Sequence, residues 1–344
     1  MRSLDQFRGC LIGGAAGDAL GYPVEFMRKR DILRRYGEKG ITEYELKGGL
    51  ALISDDTQMT LFTAAGLLLD AARGGQDAPG AINDAYLDWL KTQELRFPLK
   101  TGTYATPLAE KHGLFSRRAP GNTCLYALHS GGGGTPEAPI NESKGCGGVM
   151  RTAPAGLCFC DTGRTGRDAA RLGAQAAALT HGHPLGWMPA GMLSEIVFEI
   201  CQNGAAVQEA VTRSLDTLEE LWPSSHHVRY LSDLIRTALR LAGDGTADGD
   251  AVSQLGEGWT GEEALAVAVY CAVRHAGDFD GAVTAAVNHS GDSDSTGAIA
   301  GNITGAEVGL SGIPAKYTES LELKELILET ADALWRGSWS QITE

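Results

Sequence analysis

The sequence predicts an all-α protein. Apolar residues recur at three- and four-residue spacing through most of the chain, strand-like alternation is scarce, and two segments repeat glycine at every fourth position. The periodicity predicts helices over 56–70, 184–201, 205–222, 225–242, 261–276 and 323–336. Glycine and proline punctuation predicts loops over 131–136, over 243–261 and around 312–314. None of these stretches differs enough from its flanks to demand a boundary, and no repeat of solenoid period is present. One domain over 1–344, built on one large core, is the expectation.

The glycine stripes give that fold its centre. Gly13, Gly17 and Gly21 recur near the start, before Pro23 ends the helix, and Gly297, Gly301, Gly305 and Gly309 recur near the end. Residues four apart share a helix face, so each stripe is a groove without side chains. Glycine costs a helix interior about 0.5–1 kcal/mol relative to alanine, and close approach of another backbone is the compensation to expect. Both stripes adjoin polar clusters, which places the functional site between these two helices.

Composition sets the class of partner. Hydrophobic residues at 43% and charged residues at 21% describe a globular chain, and 46 glycines without a G-X-Y period exclude collagen. A net charge of −14 without a basic run opposes nucleic acid and anionic membranes as partners. Seven cysteines, an odd number without a CxxC pair, read as reduced core thiols. The start from Met1 and Arg2 faintly imitates a secretion signal, but Asp5 and Asp18 interrupt it, and no apolar run reaches the ~18 residues of a membrane span. A cytosolic protein is expected.

Two acidic clusters open helical segments at opposite ends of the chain: Ser54-Asp55-Asp56-Thr57 and Asp292-Ser293-Asp294-Ser295. One short oxygen-bearing residue suffices to cap a helix, and adjacent carboxylates without their own Lys or Arg repel one another unless a hard divalent cation relieves them. The second cluster starts like an EF-hand loop, yet Ile303 stands at the twelfth position where a bidentate Glu is needed. Its ligands must come from elsewhere, and Asp55 and Asp56 are the obvious donors. An all-oxygen set of this kind favours Mg²⁺, Mn²⁺ or Ca²⁺ over zinc, and its size suits two ions. Glu25, between Val24 and Phe26, reads either as a general acid or base with a raised pKa or as a salt-bridged surface residue.

The third motif is the glycine-rich stretch from Ser143 to Thr152. Its backbone amides offer an anion site, but it lacks the Gly-Lys-Ser/Thr ending of a P-loop and follows no evident strand. A simple turn remains the bland alternative. His181 and His183, two apart and followed by Pro184, lack a matching pair for zinc and read as ligand or capping residues. Asn122 reads as the cap of the helix after it.

Taken in order, Gly17-Asp18-Ala19-Leu20-Gly21 with Glu25, Ser54 to Thr57, Gly145 to Arg151, Leu179-Thr180-His181 and Gly291 to Ser295 resemble the ADP-ribosylglycohydrolase family. The resemblance implies a compact all-α fold with two Mg²⁺ or Mn²⁺ ions in a central cleft. It implies Ser54, Asp55, Asp56, Asp292, Asp294 and Ser295 as metal ligands, and Glu25, Asp55 and Asp294 as the residues on which catalysis depends. It also implies Asn122, Gly145, Cys146, Gly147, Gly148, Val149 and His181 around ADP-ribose. The family often has Thr where Ser54 and Ser295 stand; both keep a hydroxyl oxygen. The activity it implies is release of ADP-ribose from a modified protein, with arginine as the favoured acceptor. Serine-type or small-molecule ADP-ribosyl substrates, a metal-dependent nucleotide phosphohydrolase, and an ADP-ribose-binding protein without turnover are the alternatives.

Overall fold

The computed structural model describes residues 3–339, so Met1 and Arg2 of the signal-like start lie outside them. Among these residues the chain forms α1 (Leu4–Gly21), α2 (Lys29–Tyr36), α3 (Asp55–Ala72), α4 (Ala78–Glu94) and α5 (Asn122–His129). It continues through α6 (Ala153–Cys158), α7 (Gly166–Ala178), α8 (Pro184–Asn203), α9 (Val207–Leu221) and α10 (His226–Gly243). The last third holds α11 (Asp248–Leu255), α12 (Gly261–Arg274), α13 (Phe279–Val287), α14 (Ser293–Val308) and α15 (Lys324–Arg336). The only β pairings among the described residues are three isolated bridges, and no helix is long and apolar enough to cross a membrane.

The six helices expected from periodicity are all present, with ends within two residues of those read from sequence. The stretch 243–261, expected as loop, instead contains α11. Its buried face is only Ala251, Val252 and Leu255, too short a signal to register between Gly and Asp residues.

Helices α1 and α14 run antiparallel through the centre, and nearly all of their residues are buried. The stripes meet there as backbone on backbone. Gly13 faces Gly301, Gly17 faces Gly297, and Gly21 faces Ser293, while Gly9 extends the row to Gly305 and Gly309. A Cβ built on Gly297 would stand 2.5 Å from the carbonyl oxygen of Gly17, inside van der Waals contact. Such an approach permits Cα–H···O contacts worth about 0.5–1 kcal/mol each, which offsets the entropy that glycine loses. Gly309 is not part of the helix: at φ 69° it adopts the left-handed conformation and ends α14.

Around this pair stand the other helices, their aromatic residues Phe62, Tyr86, Trp89 and Tyr270 fully buried. Arg8 ties α1 to α15 through paired bonds to Asp332 of 2.7 and 2.8 Å. The same small-residue logic recurs at Gly66 on Ile82, Gly156 on Ser194 and Gly173 on Ala190. Packing thus accounts for many of the glycines that composition left unexplained.

One buried carboxyl lies away from the centre. Glu195 of α8 accepts a 2.7 Å bond from Thr217, but its other oxygen is buried without a partner. Burial raises its pKa from 4.5 to about 7, with Glu199 adding to the effect.

Two outcomes follow from this packing. Gly301→Ala, which in an open helix would gain about 0.5–1 kcal/mol, should instead destabilise by about 1–3 kcal/mol in denaturant unfolding, because its methyl meets the backbone of Gly13. For Glu195, the unfolded chain loses its proton near pH 4.5 while the folded chain keeps it to about pH 7. Stability therefore falls as pH rises through that window. Glu195→Gln should be more stable than the parent by on the order of 2 kcal/mol at pH 8, with the gap closing by pH 4.5 in thermal melts.

Candidate active site

The helix pair sets the N-terminus of α14 beside that of α3. Ser54 caps α3, its Oγ accepting from Asp56 N at 3.2 Å, and Asp55 and Asp56 occupy the first turn, where the helix dipole favours negative charge. Asp292 caps α14 and accepts from Ser295 N at 3.4 Å, with Asp294 in the first turn. Both clusters are therefore helix caps as well as carboxylate clusters. Gly291 enters the second one at φ 130°, where a Cβ would stand 2.0 Å from the carbonyl oxygen of Glu257, so a side chain there has neither room nor a favourable conformation.

Asp18, quoted above only as part of a motif, organises this wall. Fully buried on α1, it accepts from Ser54 N at 3.0 Å, from Thr57 N at 3.1 Å and from the Thr57 hydroxyl. An Asp inside the apolar, glycine-striped run from Gly9 to Gly21 is the available signal. Arg118 contributes from outside, paired with Glu322 at 3.0 and 3.1 Å while its carbonyl receives Asp55 N at 3.1 Å.

Glu25 follows a single 3₁₀ turn after α1, and one carboxylate oxygen each from Glu25, Asp292 and Asp294 lie within 4.8 Å of one another. Burial, then Asp292 and Asp55, push Glu25 up to about 8; burial pushes Asp55 to about 8 and holds Asp56 and Asp294 well above the ordinary carboxylate range. Asp56 Oδ1 is buried and accepts no hydrogen bond. An orphaned oxygen beside crowded carboxyls is a donor set that fits a hard divalent cation.

Facing this wall across a cleft of about 280 Å³ is the glycine loop. It is pinned from outside by Cys146 N donating to Trp259 O (3.2 Å) and Gly261 N donating to Lys144 O (2.8 Å). Gly145, Cys146, Gly147, Asn122 and His181 line the cleft with Glu25, Asp55, Asp56, Asp292, Asp294 and Ser295. Three sequence expectations are corrected here. Gly148 packs against the carbonyl of Gly186 and Val149 is wholly buried with its amide donated to Cys146 O, so both stand behind the loop. Asn122 is the first residue of α5, whose cap is Gly121, so it lines the cleft without capping. Cys146 is no core thiol: its Sγ lies 2.6 Å from Asp292 Oδ2 in the cleft. Ser54, fully buried and committed to its cap, does not line the cleft.

His183 caps α8 through Leu185 N at 3.1 Å, while His181 turns inward, so the two histidines do not act as a pair. Sequence reasoning gave no role to the aromatic rim. Phe26 and Trp259 stack at 5.2 Å and 21° at the cleft mouth, with Phe26 70% exposed and held at φ 64°, a conformation rare for bulky residues. A larger depression of about 580 Å³ lies elsewhere, with the ion pairs Lys316–Asp280 at 2.6 Å and His275–Asp248 at 3.0 Å in its lining. Chemistry, not size, marks the site.

The family model described as ADP-ribosylglycohydrolase matches residues 1–342. The chain is 32% identical over 199 residues to the ADP-ribosyl-[dinitrogen reductase] glycohydrolase of Rhodospirillum rubrum, an alignment spanning 53% of each chain and so about half the length of that relative. It is 25% identical to ADP-ribosylhydrolase ARH3 of Bos taurus over 93% of this chain and 90% of that one. A solved structure titled ADP-ribosylglycohydrolase-related protein complex superposes with a TM-score of 0.64 and 25% identity, covering 97% of this chain and 98% of the other. With nearly its whole length matched by the family model, the chain belongs to the ADP-ribosylglycohydrolase family.

Proposed function

We propose that this protein is a metal-dependent hydrolase that cleaves the glycosidic bond between ADP-ribose and an arginine side chain of a modified protein, releasing ADP-ribose. The observation that carries the reading is the meeting of Glu25, Asp55, Asp56, Asp292 and Asp294 on one wall of a cleft whose other wall is a glycine loop. Family membership supports the same reaction class. One domain spanning the chain supplies both walls, since the carboxylates come from opposite ends of it.

Ser54, Asp55, Asp56, Asp292, Asp294 and Ser295 are the residues proposed to hold two Mg²⁺ or Mn²⁺ ions, with Ser54 acting from behind the cleft surface. When bound, such ions supply Lewis-acid polarisation and a more acidic water, and they relieve the repulsion among these carboxyls. The chain's own residues do the rest. The glycine loop, through the amide of Gly147, and the imidazole of His181 orient the anionic ligand. Glu25, at the cleft edge, gives and takes the proton. Hydrolysis adds the water's hydroxyl to the anomeric carbon and its proton to the departing guanidine nitrogen, through an oxocarbenium-like transition state that neighbouring carboxylates stabilise. Stacked Phe26 and Trp259 limit water at the mouth and offer an aromatic face to the acceptor, which suits a guanidinium.

Free ADP-ribose released from arginine-modified protein, measured with Mg²⁺ or Mn²⁺ and again with EDTA, tests the reaction. Release should vanish with EDTA and fall at least about 10³-fold in Asp55→Ala and Asp294→Ala while the far-UV helix signal persists. Undiminished turnover in EDTA or in either variant overturns the metal assignment, and release from serine-linked substrates alone overturns the acceptor. Added Mg²⁺ at 100 times its Kd should stabilise the parent protein by about 2.7 kcal/mol in thermal melts and leave Asp294→Ala unmoved.

A further inference from the structure

Arg151 is fully buried among neutral partners. It reaches Met59 Sδ and Cys124 Sγ at 3.3 Å, Ala176 O at 3.4 Å and Thr180 Oγ1 at 2.6 Å, and its guanidinium lies 4.3 Å over the Tyr86 ring. Nε is buried without an acceptor. A buried cation lacking an anion is a cost that packing alone does not offset.

The shortest of these contacts leads into the cleft. Thr180 Oγ1 is also 2.9 Å from His181 Nδ1. A guanidinium can only donate, so it occupies a lone pair of Oγ1 and polarises the hydroxyl, whose proton then turns to Nδ1. The ring's own proton is left on Nε2. Burial and the charge of Arg151 oppose a second proton, holding His181 down to about 3. The Nε2 edge faces the glycine loop: Cβ atoms built on Gly145 and Gly147 would stand 3.5 and 3.4 Å from it.

We propose that Arg151 and Thr180 are positioning residues that hold His181 as its Nε2–H tautomer, a fixed donor to an acceptor oxygen of ADP-ribose. The inference rests on the function proposed above. Phosphate oxygens only accept, so an imidazole free to present the Nε2 lone pair would repel the ligand in part of its population. The relay removes that state before the ligand arrives.

Nitrogen NMR of the full-length, ligand-free protein with ¹⁵N-histidine reads the tautomer directly. His181 should show a proton-bearing Nε2 and an unprotonated Nδ1. In Thr180→Val, which keeps the shape and loses the hydroxyl, the two nitrogens should average or exchange roles, and Thr180→Ser should restore the parent pattern. ADP-ribose binding by calorimetry should weaken roughly tenfold in Thr180→Val and recover in Thr180→Ser. A parent His181 protonated on Nδ1, or a tautomer unchanged in Thr180→Val, overturns the proposal, and the parent spectrum alone decides the tautomer if the variant does not fold. The expected tautomer without any ADP-ribose binding overturns the ligand assignment and leaves the positioning intact.

Discussion

Backbone contact between α1 and α14 is the constraint from which the rest of the structure follows. Two helices that touch through glycine carbonyls sit closer than side chains would allow, and that proximity sets Gly21 against Ser293 at the end of the row. Glu25 leaves α1 at this point, and Asp292 and Asp294 open α14 at the same point. A shift of either helix along the stripe by one turn, about 5.4 Å, would exceed the 4.8 Å within which these three carboxylates meet. The geometry of the acid wall is thus a register set by glycine.

Electrostatics divides the cleft into unlike halves. On one side carboxyls are crowded and desolvated, so each resists ionisation while no cation shares the space. On the other, the lining is a glycine loop and a neutral imidazole, with the nearby guanidinium of Arg151 buried behind them. An anionic ligand therefore meets dipoles first and charge only at second hand. In a protein of net charge −14, that arrangement gives an anion a local foothold without an exposed basic patch.

Much of this was legible in sequence because it depends on spacing. Glycines four apart, paired carboxylates after a turn, and three- and four-residue apolar periods each survive as patterns whatever the tertiary structure. What sequence could not convey was direction. Val149 follows three loop residues that line the cleft, yet the turn rotates its side chain into the core. Asn122 looks like a cap, but Gly121 takes that position and Asn122 starts the helix. The partners of Asp18 lie some forty residues away and those of Arg151 lie on α3, α4, α5, α7 and the turn after α7, so neither role has a local signature. Phe26 and Trp259 stack although more than 200 residues separate them, a relation that only the closed fold supplies.

The pairing of α1 with α14 also bears on how the chain comes into being. The first helix is buried on every side in the finished protein, and its main partner begins at Ser293. At a synthesis rate of about 5–20 residues per second, the glycine face of α1 waits on the order of 14–54 s for that partner. Until then a glycine-rich helix, weak on its own, has no complementary backbone to lie against. The most central contact of the native state waits until Ser293 and the residues after it are made, and the acid wall assembles no earlier.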